Sequence, residues 1–197
     1  MEIRLMRKEG FSEALFGIGL SYGLTSGCEE WDAVPYDRRM KLQEIASKLC
    51  KAGAGEDKFL RQIVYWWDVA APRYWWAEAD TYKVGTVAQS ESTMHTIMRR
   101  PLDDSDFEKP VSPPVLENVN LFVEMYRSAR PETKQEWFLD LKNVLPEGFL
   151  QRRIWTLNLA NMKNIYRQRK SHRLPQWRRI CDAFVATTPE YLRGMYE

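Results

Sequence analysis

The sequence is poor in the residues that build disulfide frameworks and metal centres. Its three cysteines, Cys28, Cys50 and Cys181, lie far apart and form no Cys-x-x-Cys pair. Their odd number and wide spacing argue against a disulfide framework and against a zinc site. His95 and His172 are the two histidines, too few for a multi-histidine metal centre. We therefore expect a reduced protein without a bound metal.

Long apolar runs are also missing. No stretch reaches the roughly 20 apolar residues that a membrane-spanning helix requires, and the N-terminal MEIRLMRKEG has no apolar core of a secretion signal. With 44% apolar and 28% charged residues, the composition is typical of a globular protein. We predict a cytoplasmic protein that does not bind membranes, with one domain over residues 1–197.

Acidic residues are absent from residues 151–181, which we call the basic window. The net charge of the whole chain is +2, yet this window holds only cationic charges. Because no neighbouring carboxylate in sequence neutralises them, the window indicates a polyanion site for nucleotide phosphates or a nucleic-acid backbone. A solvated face or an intersubunit salt-bridge surface is the alternative. The nine cations are Arg152, Arg153, Lys163, Arg167, Arg169, Lys170, Arg173, Arg178 and Arg179.

Tryptophan, by contrast, is abundant. The chain has eight, and the pairs Trp66-Trp67 and Trp75-Trp76 lie within eleven residues. Two interpretations stay open. The rings form a large aromatic core, or some of them line a pocket for a flat ligand or stack on bases.

Periodicity predicts an α+β domain that is mainly helical with a small mixed sheet. A proline-rich acidic stretch, PLDDSDFEKPVSPP at residues 101–114, predicts a surface loop that acts as a mobile lid. On the longest predicted helix, Asn158 and Arg169 are three turns apart and share a face, roughly 16 Å from each other along the axis. We predict strands at residues 2–6 and 62–70, and helices at 11–25, 37–51, 72–79, 115–129, 131–143 and about 147–170.

A hydroxyl-rich segment, DTYKVGTVAQSESTMH, occupies residues 80–95. It carries six hydroxyl side chains and one lysine, Lys83. Such residues are poor helix formers and too polar for a core strand. The composition suits a loop that presents polar groups to a ligand.

Residues 145–177, LPEGFLQRRIWTLNLANMKNIYRQRKSHRLPQW, resemble the C-terminal half of the flavin-dependent thymidylate synthases (the ThyX family). The family has Leu-Pro, an arginine, Trp-Thr-x-Asn, a second arginine eleven residues beyond that asparagine, and a glutamine. Arg152, Asn158, Arg169 and Gln176 match here. A second similar block runs from Gly55 through QIVYWWDVAAP and aligns the hydroxyl-rich segment with the family motif RHRxxSxNxxSxR. The resemblance implies a ThyX-like fold and a homotetramer.

The aligned motif is altered in this sequence. Loss of each charge-assisted donor to phosphate removes about 1.5–3 kcal/mol, so the changes predict weak flavin binding. Thr81-Tyr82-Lys83 replaces RHR, and Thr86, Ala88, Glu91 and Thr93 stand at the first serine, the asparagine, the second serine and the last arginine. Glu56 and Gln62 replace the histidines of the upstream family pattern GHxxxxxH.

The resemblance assigns roles to the remaining polar residues. Arg169 is the expected catalytic residue, which polarises a pyrimidine ring and also binds the substrate. The family reaction transfers a methylene group from folate to deoxyuridylate (dUMP), with reduced flavin as hydride donor, so FAD and folate are the implied cofactors. Lys83, Thr86 and Asn158 are the expected flavin-binding residues, and Lys142, Ser90 and Ser92 join Arg169 in binding a dUMP-like nucleotide.

Two alternatives to this enzyme remain. One is a catalytically inactive binding protein on the same fold, with a nucleotide or a macromolecule as ligand, such as a viral accessory or inhibitor protein. The other uses the basic window as a nucleic-acid surface. We rank nucleic acid last, because the resemblance places these arginines around a small-ligand cavity.

Overall fold

The computed structural model describes residues 1–53 and 55–197. The chain divides into two units. The first unit comprises residues 1–2, 69–81 and 89–154, and the second comprises residues 3–68, 82–88 and 155–197. The single domain over residues 1–197 stays a prediction.

Four strands form one antiparallel sheet in the order β1-β2-β4-β3. The inner strand β2 has the sequence VYWWDVAAP, whose β-branched and aromatic side chains suit a buried strand. The edge strand β3 is short and exposed, which is typical of a sheet edge. The strands are β1 (Glu2–Glu9), β2 (Val64–Pro72), β3 (Thr86–Ser90) and β4 (Leu150–Asn158).

Helices account for 54% of the structure, and the predicted α+β class is confirmed. Short 3-10 helices lie at Trp31–Ala33, Lys58–Arg61, Asp104–Asp106 and Glu190–Tyr196. The α-helices are α1 (Phe11–Tyr22), α2 (Tyr36–Leu49), α3 (Arg73–Ala79), α4 (Thr93–Thr96), α5 (Pro113–Ser128), α6 (Lys134–Val144), α7 (Leu159–Arg169) and α8 (Pro175–Thr187).

The prediction of one long helix from about residue 147 to 170 is wrong. The structure places β4 at Leu150–Asn158 and begins α7 only at Leu159. In β4, Trp155 and Leu157 are buried while Thr156 between them is half-buried, the two-residue period of a strand. Asn158 is therefore the N-cap of α7 and not a residue on its face.

Two side chains of residues 101–114 anchor this otherwise largely exposed stretch in the core of the first unit. Leu102 and Phe107 of this stretch are buried and belong to a core cluster with Val119 and Leu141. Asn120 fixes the stretch, because its amide accepts from the Leu102 N–H at 2.7 Å and donates to the Leu102 carbonyl at 2.9 Å. These contacts tie the segment to α5, so its movement as a lid would require local unfolding.

The core of the second unit is rich in aromatic rings. Tyr65 and Trp67 stack at a centroid distance of 6.2 Å, and Trp67 packs against Phe184 at 5.5 Å. Among the described residues, five tryptophans are buried, which agrees with the core interpretation: Trp67, Trp75, Trp76, Trp155 and Trp177.

Among the residues that the structure describes, no helix combines the length and apolar character needed to cross a membrane. Within residues 1–53 and 55–197, no group of three or more His, Cys, Asp or Glu side chains is placed to hold a metal ion.

Candidate functional site

Residues 82–88, which we call the Tyr82 loop and which run into β3 at Thr86, lie along α7 in the second unit. At the C-terminal end of the helix, the Tyr82 hydroxyl donates to Gln168 Oε1 at 2.8 Å and accepts from Arg169 Nε at 2.9 Å. At the N-terminal end, Asn161 Nδ2 donates to the Val84 carbonyl at 2.7 Å. The altered motif is thus fastened to both ends of one helix.

Gly85 permits the close approach of the loop to the start of α7. Its φ is +75°, and a Cβ at this position would lie 2.9 Å from Asn161 Oδ1 and 3.0 Å from Asn158 Nδ2. A side chain would be strained by the left-handed backbone and would also collide with the two amides. Glycine at this position therefore sets the path of the Tyr82 loop.

Asn158 begins α7 through a reciprocal capping box. Its Oδ1 accepts from the Asn161 N–H at 2.9 Å, and Asn161 Oδ1 accepts from the Asn158 N–H at 3.3 Å. These bonds satisfy two backbone donors at the helix terminus. The sequence carries this signal as two asparagines three residues apart, a variant of the capping-box spacing.

Arg169, the last residue of α7, lies beside two aromatic rings. The centre of its guanidinium group is 4.8 Å from the Trp177 ring and 5.6 Å from the Tyr82 ring, within the range of cation–π attraction. Tyr82 and Trp177 themselves pack edge to face at 5.8 Å. Arg169 Nη1 also contacts His172 Nε2 at 3.0 Å. These contacts restrict the rotamers of a side chain that is otherwise long and flexible.

A second polar group belongs to the first unit and contains Lys142. Lys142 Nζ donates to Thr93 Oγ1 at 2.9 Å, which brings a lysine of α6 to the hydroxyl-rich segment. Burial lowers the pKa of the Lys142 ammonium below its ordinary value, and the nearby charge of Arg73 lowers it further. Glu147 acts on this pKa in the opposite direction.

Two hydrogen bonds to the Glu91 backbone hold the part of the hydroxyl-rich segment that precedes Thr93. The Glu91 N–H donates to the Arg152 carbonyl at 2.8 Å, and the Glu91 carbonyl accepts from Gln151 Nε2 at 3.0 Å. Ser90 and Ser92 on either side are exposed. Ser92 directly precedes Thr93, the hydrogen-bond partner of Lys142.

No protein-family model matches the sequence, and no curated protein matches it. The fold does match solved structures of the flavin-dependent thymidylate synthase ThyX from Helicobacter pylori. One, complexed with FAD and dUMP, has a TM-score of 0.70 at 13% sequence identity, covering 100% of this chain and 98% of that chain. A second, with FAD and dUMP at 2.31 Å resolution, has a TM-score of 0.72 with the same identity and coverage. This chain has the ThyX fold.

On this ThyX-like fold, the three residues expected to bind flavin differ in exposure and in hydrogen bonding. Lys83 is exposed. The Thr86 hydroxyl donates to the Tyr82 carbonyl within its own loop, and Asn158 Oδ1 serves the helix cap. Two of the three groups thus already have internal hydrogen-bond partners, and flavin binding by these three residues stays a prediction.

The structure brings Tyr82, which directly precedes Lys83, into contact with Arg169. A ligand role for Lys83 itself stays a prediction. Sequence reasoning did not assign Tyr82 and Trp177 to the site. The contact of Tyr82 with Arg169 joins residues that are 87 positions apart, which no local pattern reports.

Proposed function

We propose that this protein binds a pyrimidine deoxynucleotide of the dUMP type, with Arg169 as the residue that contacts the base. The observation that carries the proposal is the framed guanidinium on a ThyX-like fold. Tyr82 and Trp177 lie within cation–π distance of it, and the Tyr82 hydroxyl accepts from Nε. A guanidinium restrained in this way loses little conformational entropy when it binds the carbonyl oxygens of a pyrimidine.

Binding without flavin chemistry is the function that we favour over the synthase reaction. Asn158 is used in a helix cap and Thr86 in a loop bond, and the motif lacks the cations that would answer the FAD phosphates. A catalytically inactive binding protein needs the nucleotide site alone. Folate, as the other cofactor of the synthase reaction, is not required by this proposal.

Calorimetric titration with dUMP, thymidylate and FAD tests the proposal. We expect the wild type to bind a nucleotide and Arg169→Ala to bind it roughly 10- to 150-fold more weakly, as for a lost charge-assisted contact. Arg167→Ala is the matched control, because Arg167 is an exposed cation of the same helix. Unchanged affinity in Arg169→Ala would exclude the assigned role, and a wild type that binds neither nucleotide would exclude the proposed function.

The colour of the purified protein separates binding from flavin catalysis. A colourless protein that binds dUMP agrees with our proposal. A yellow protein that keeps flavin through purification would restore the synthase reaction as the better interpretation.

Nucleic acid as the ligand is disfavoured by two ion pairs of the basic window. Arg153 Nη1 lies 2.8 Å from the Asp80 carboxylate, and Lys163 Nζ lies 2.6 Å from the Asp57 carboxylate. These cations are already compensated within the protein. We expect little binding of short DNA or RNA, whereas strong binding that falls steeply with added salt would favour the nucleic-acid alternative.

A further inference from the structure

His172 lies in the turn that joins α7 to α8 in the second unit, and several contacts restrain it. Its backbone N–H donates to the Arg169 carbonyl at 3.0 Å, and its carbonyl accepts from Arg178 Nη1 at 2.8 Å. Its ring packs edge to face against the Trp177 ring at a centroid distance of 6.4 Å. The half-buried imidazole is therefore held through both its backbone and its ring.

Each nitrogen of this imidazole faces a hydrogen-bond donor. The Leu174 N–H lies 3.2 Å from Nδ1, and Arg169 Nη1 lies 3.0 Å from Nε2. A guanidinium keeps its proton in proteins and has donors only. A neutral imidazole has one acceptor nitrogen. His172 can therefore accept a hydrogen bond from Arg169 or from Leu174, but not from both.

The contact with Arg169 has the advantage in this competition. It is the shorter of the two, and hydrogen bonds from a charged donor are roughly twice as strong as those between neutral groups. Leu174 is the N-cap residue of α8, and water can satisfy a backbone donor at a helix terminus. The acceptor nitrogen is then Nε2, and the ring proton is on Nδ1.

We propose that His172 is a positioning residue for Arg169, whose Nη1 donates to the neutral imidazole at Nε2. This inference deepens the proposed function, on which it rests. The Tyr82 hydroxyl accepts from Arg169 Nε, so acceptors at two separate nitrogens fix the orientation of the guanidinium plane, which a single contact leaves open. A guanidinium that is oriented before binding loses less conformational entropy when the base arrives.

Two substitutions that each keep one acceptor position separate the two contacts. In His172→Gln the amide oxygen reaches the position of Nε2 and accepts from Arg169. In His172→Asn the shorter amide reaches only the position of Nδ1 and accepts from the Leu174 N–H. By calorimetric titration with dUMP, we expect His172→Gln to bind within about twofold of the wild type. His172→Asn should bind roughly three- to tenfold more weakly, the cost of ordering one long side chain on binding.

A purely structural role of His172 in the turn predicts the reverse order, because only His172→Asn would keep the bond to Leu174. The reverse order, or equal affinity of the two variants, overturns the proposal. Ser171→Asn is the matched control, at an exposed residue of the same turn, and should bind dUMP as the wild type does.

The ring proton of the wild-type protein gives a second test, which needs no ligand and decides if the two variants fail to fold. Long-range nitrogen–proton NMR spectra at about pH 8, where a histidine in a peptide is uncharged, show which ring nitrogen carries the proton. We expect the proton on Nδ1, and a proton on Nε2 overturns the proposal. His95→Gln removes the signal of the other histidine.

The two tests also separate this inference from the proposed function. A wild type that binds neither dUMP nor thymidylate, with the proton on Nδ1, supports the bond between Arg169 and His172 and overturns the nucleotide function alone. A wild type that binds dUMP with the proton on Nε2 supports the nucleotide function and overturns the positioning role.

Discussion

Lys163 of the basic window is buried. Its contacts give it a structural role. Its Nζ donates to the Cys50 carbonyl at 2.7 Å, the Ala52 carbonyl at 2.9 Å and Asp57 Oδ2 at 2.6 Å. Three acceptors match the three donors of an ammonium group. The side chain thereby joins α7 to the segment that follows α2.

Replacement of Lys163 by methionine should lower the free energy of unfolding by about 3 kcal/mol. The apolar chain keeps the volume, but Asp57 and two carbonyls lose their buried partner. Urea unfolding measures the change. Lys41→Met, at an exposed lysine of α2, serves as control, and equal stability of the two variants would contradict the structural role of Lys163.

At the scale of elements, the contact between the Tyr82 loop and α7 fixes the position of the altered motif. Asn161 takes part both in the helix cap and in the bond to the Val84 carbonyl. Arg169 and Gln168 hold Tyr82 at the other end. The start of α7 and the position of Arg169 are therefore linked through one loop.

Asn158 provides a test that separates capping from ligand binding. Asn158→Ala should cost about 1 kcal/mol of stability, whereas Asn158→Asp should cost little, because an aspartate oxygen also accepts from the N–H of Asn161. Thermal and urea unfolding check the two variants. If Asn158→Asp is as unstable as Asn158→Ala, the amide group has a role other than the cap.

At the scale of the whole molecule, buried acids predict a loss of stability in alkali. Burial raises the pKa of the Tyr191 hydroxyl to about 12, and it also raises the pKa of the Cys181 thiol to about 12, with a smaller contribution from Asp182. In the unfolded chain these groups release their protons at the ordinary values of 10.0 and 9.0. The folded state therefore binds more protons through this range, and stability falls as the pH rises.

We expect urea midpoints to be constant below about pH 8 and to fall between about pH 9 and 12. Tyr191→Phe should flatten the decline, because the phenyl ring has no proton to release. Tyr36→Phe, at a tyrosine that is 71% exposed, should leave the decline unchanged. A decline of equal slope in all three proteins would exclude Tyr191 as a cause.

The homotetramer implied by the resemblance stays a prediction at this scale. Light scattering should then give four times the chain mass of 23.3 kDa. A species of one chain mass that persists as the protein concentration rises would contradict the predicted assembly.

The sequence alone was sufficient for the fold class. The spacing from Leu145 through Asn158 to Arg169 predicted a ThyX-like fold, and the fold comparison confirms it. Strand β2 and helix α2 were predicted close to their observed bounds, because their periodicity reports which of their own residues are buried.

Tertiary structure decided the features that depend on distant partners. Residues 150–158 contain good helix formers, but pairing within the sheet makes them β4, and local propensity is too weak to oppose such pairing. The basic window has no acidic residue, yet Asp57 and Asp80 reach it through the fold. The contact of Arg169 with Tyr82 likewise results from long-range packing, which local periodicity does not encode.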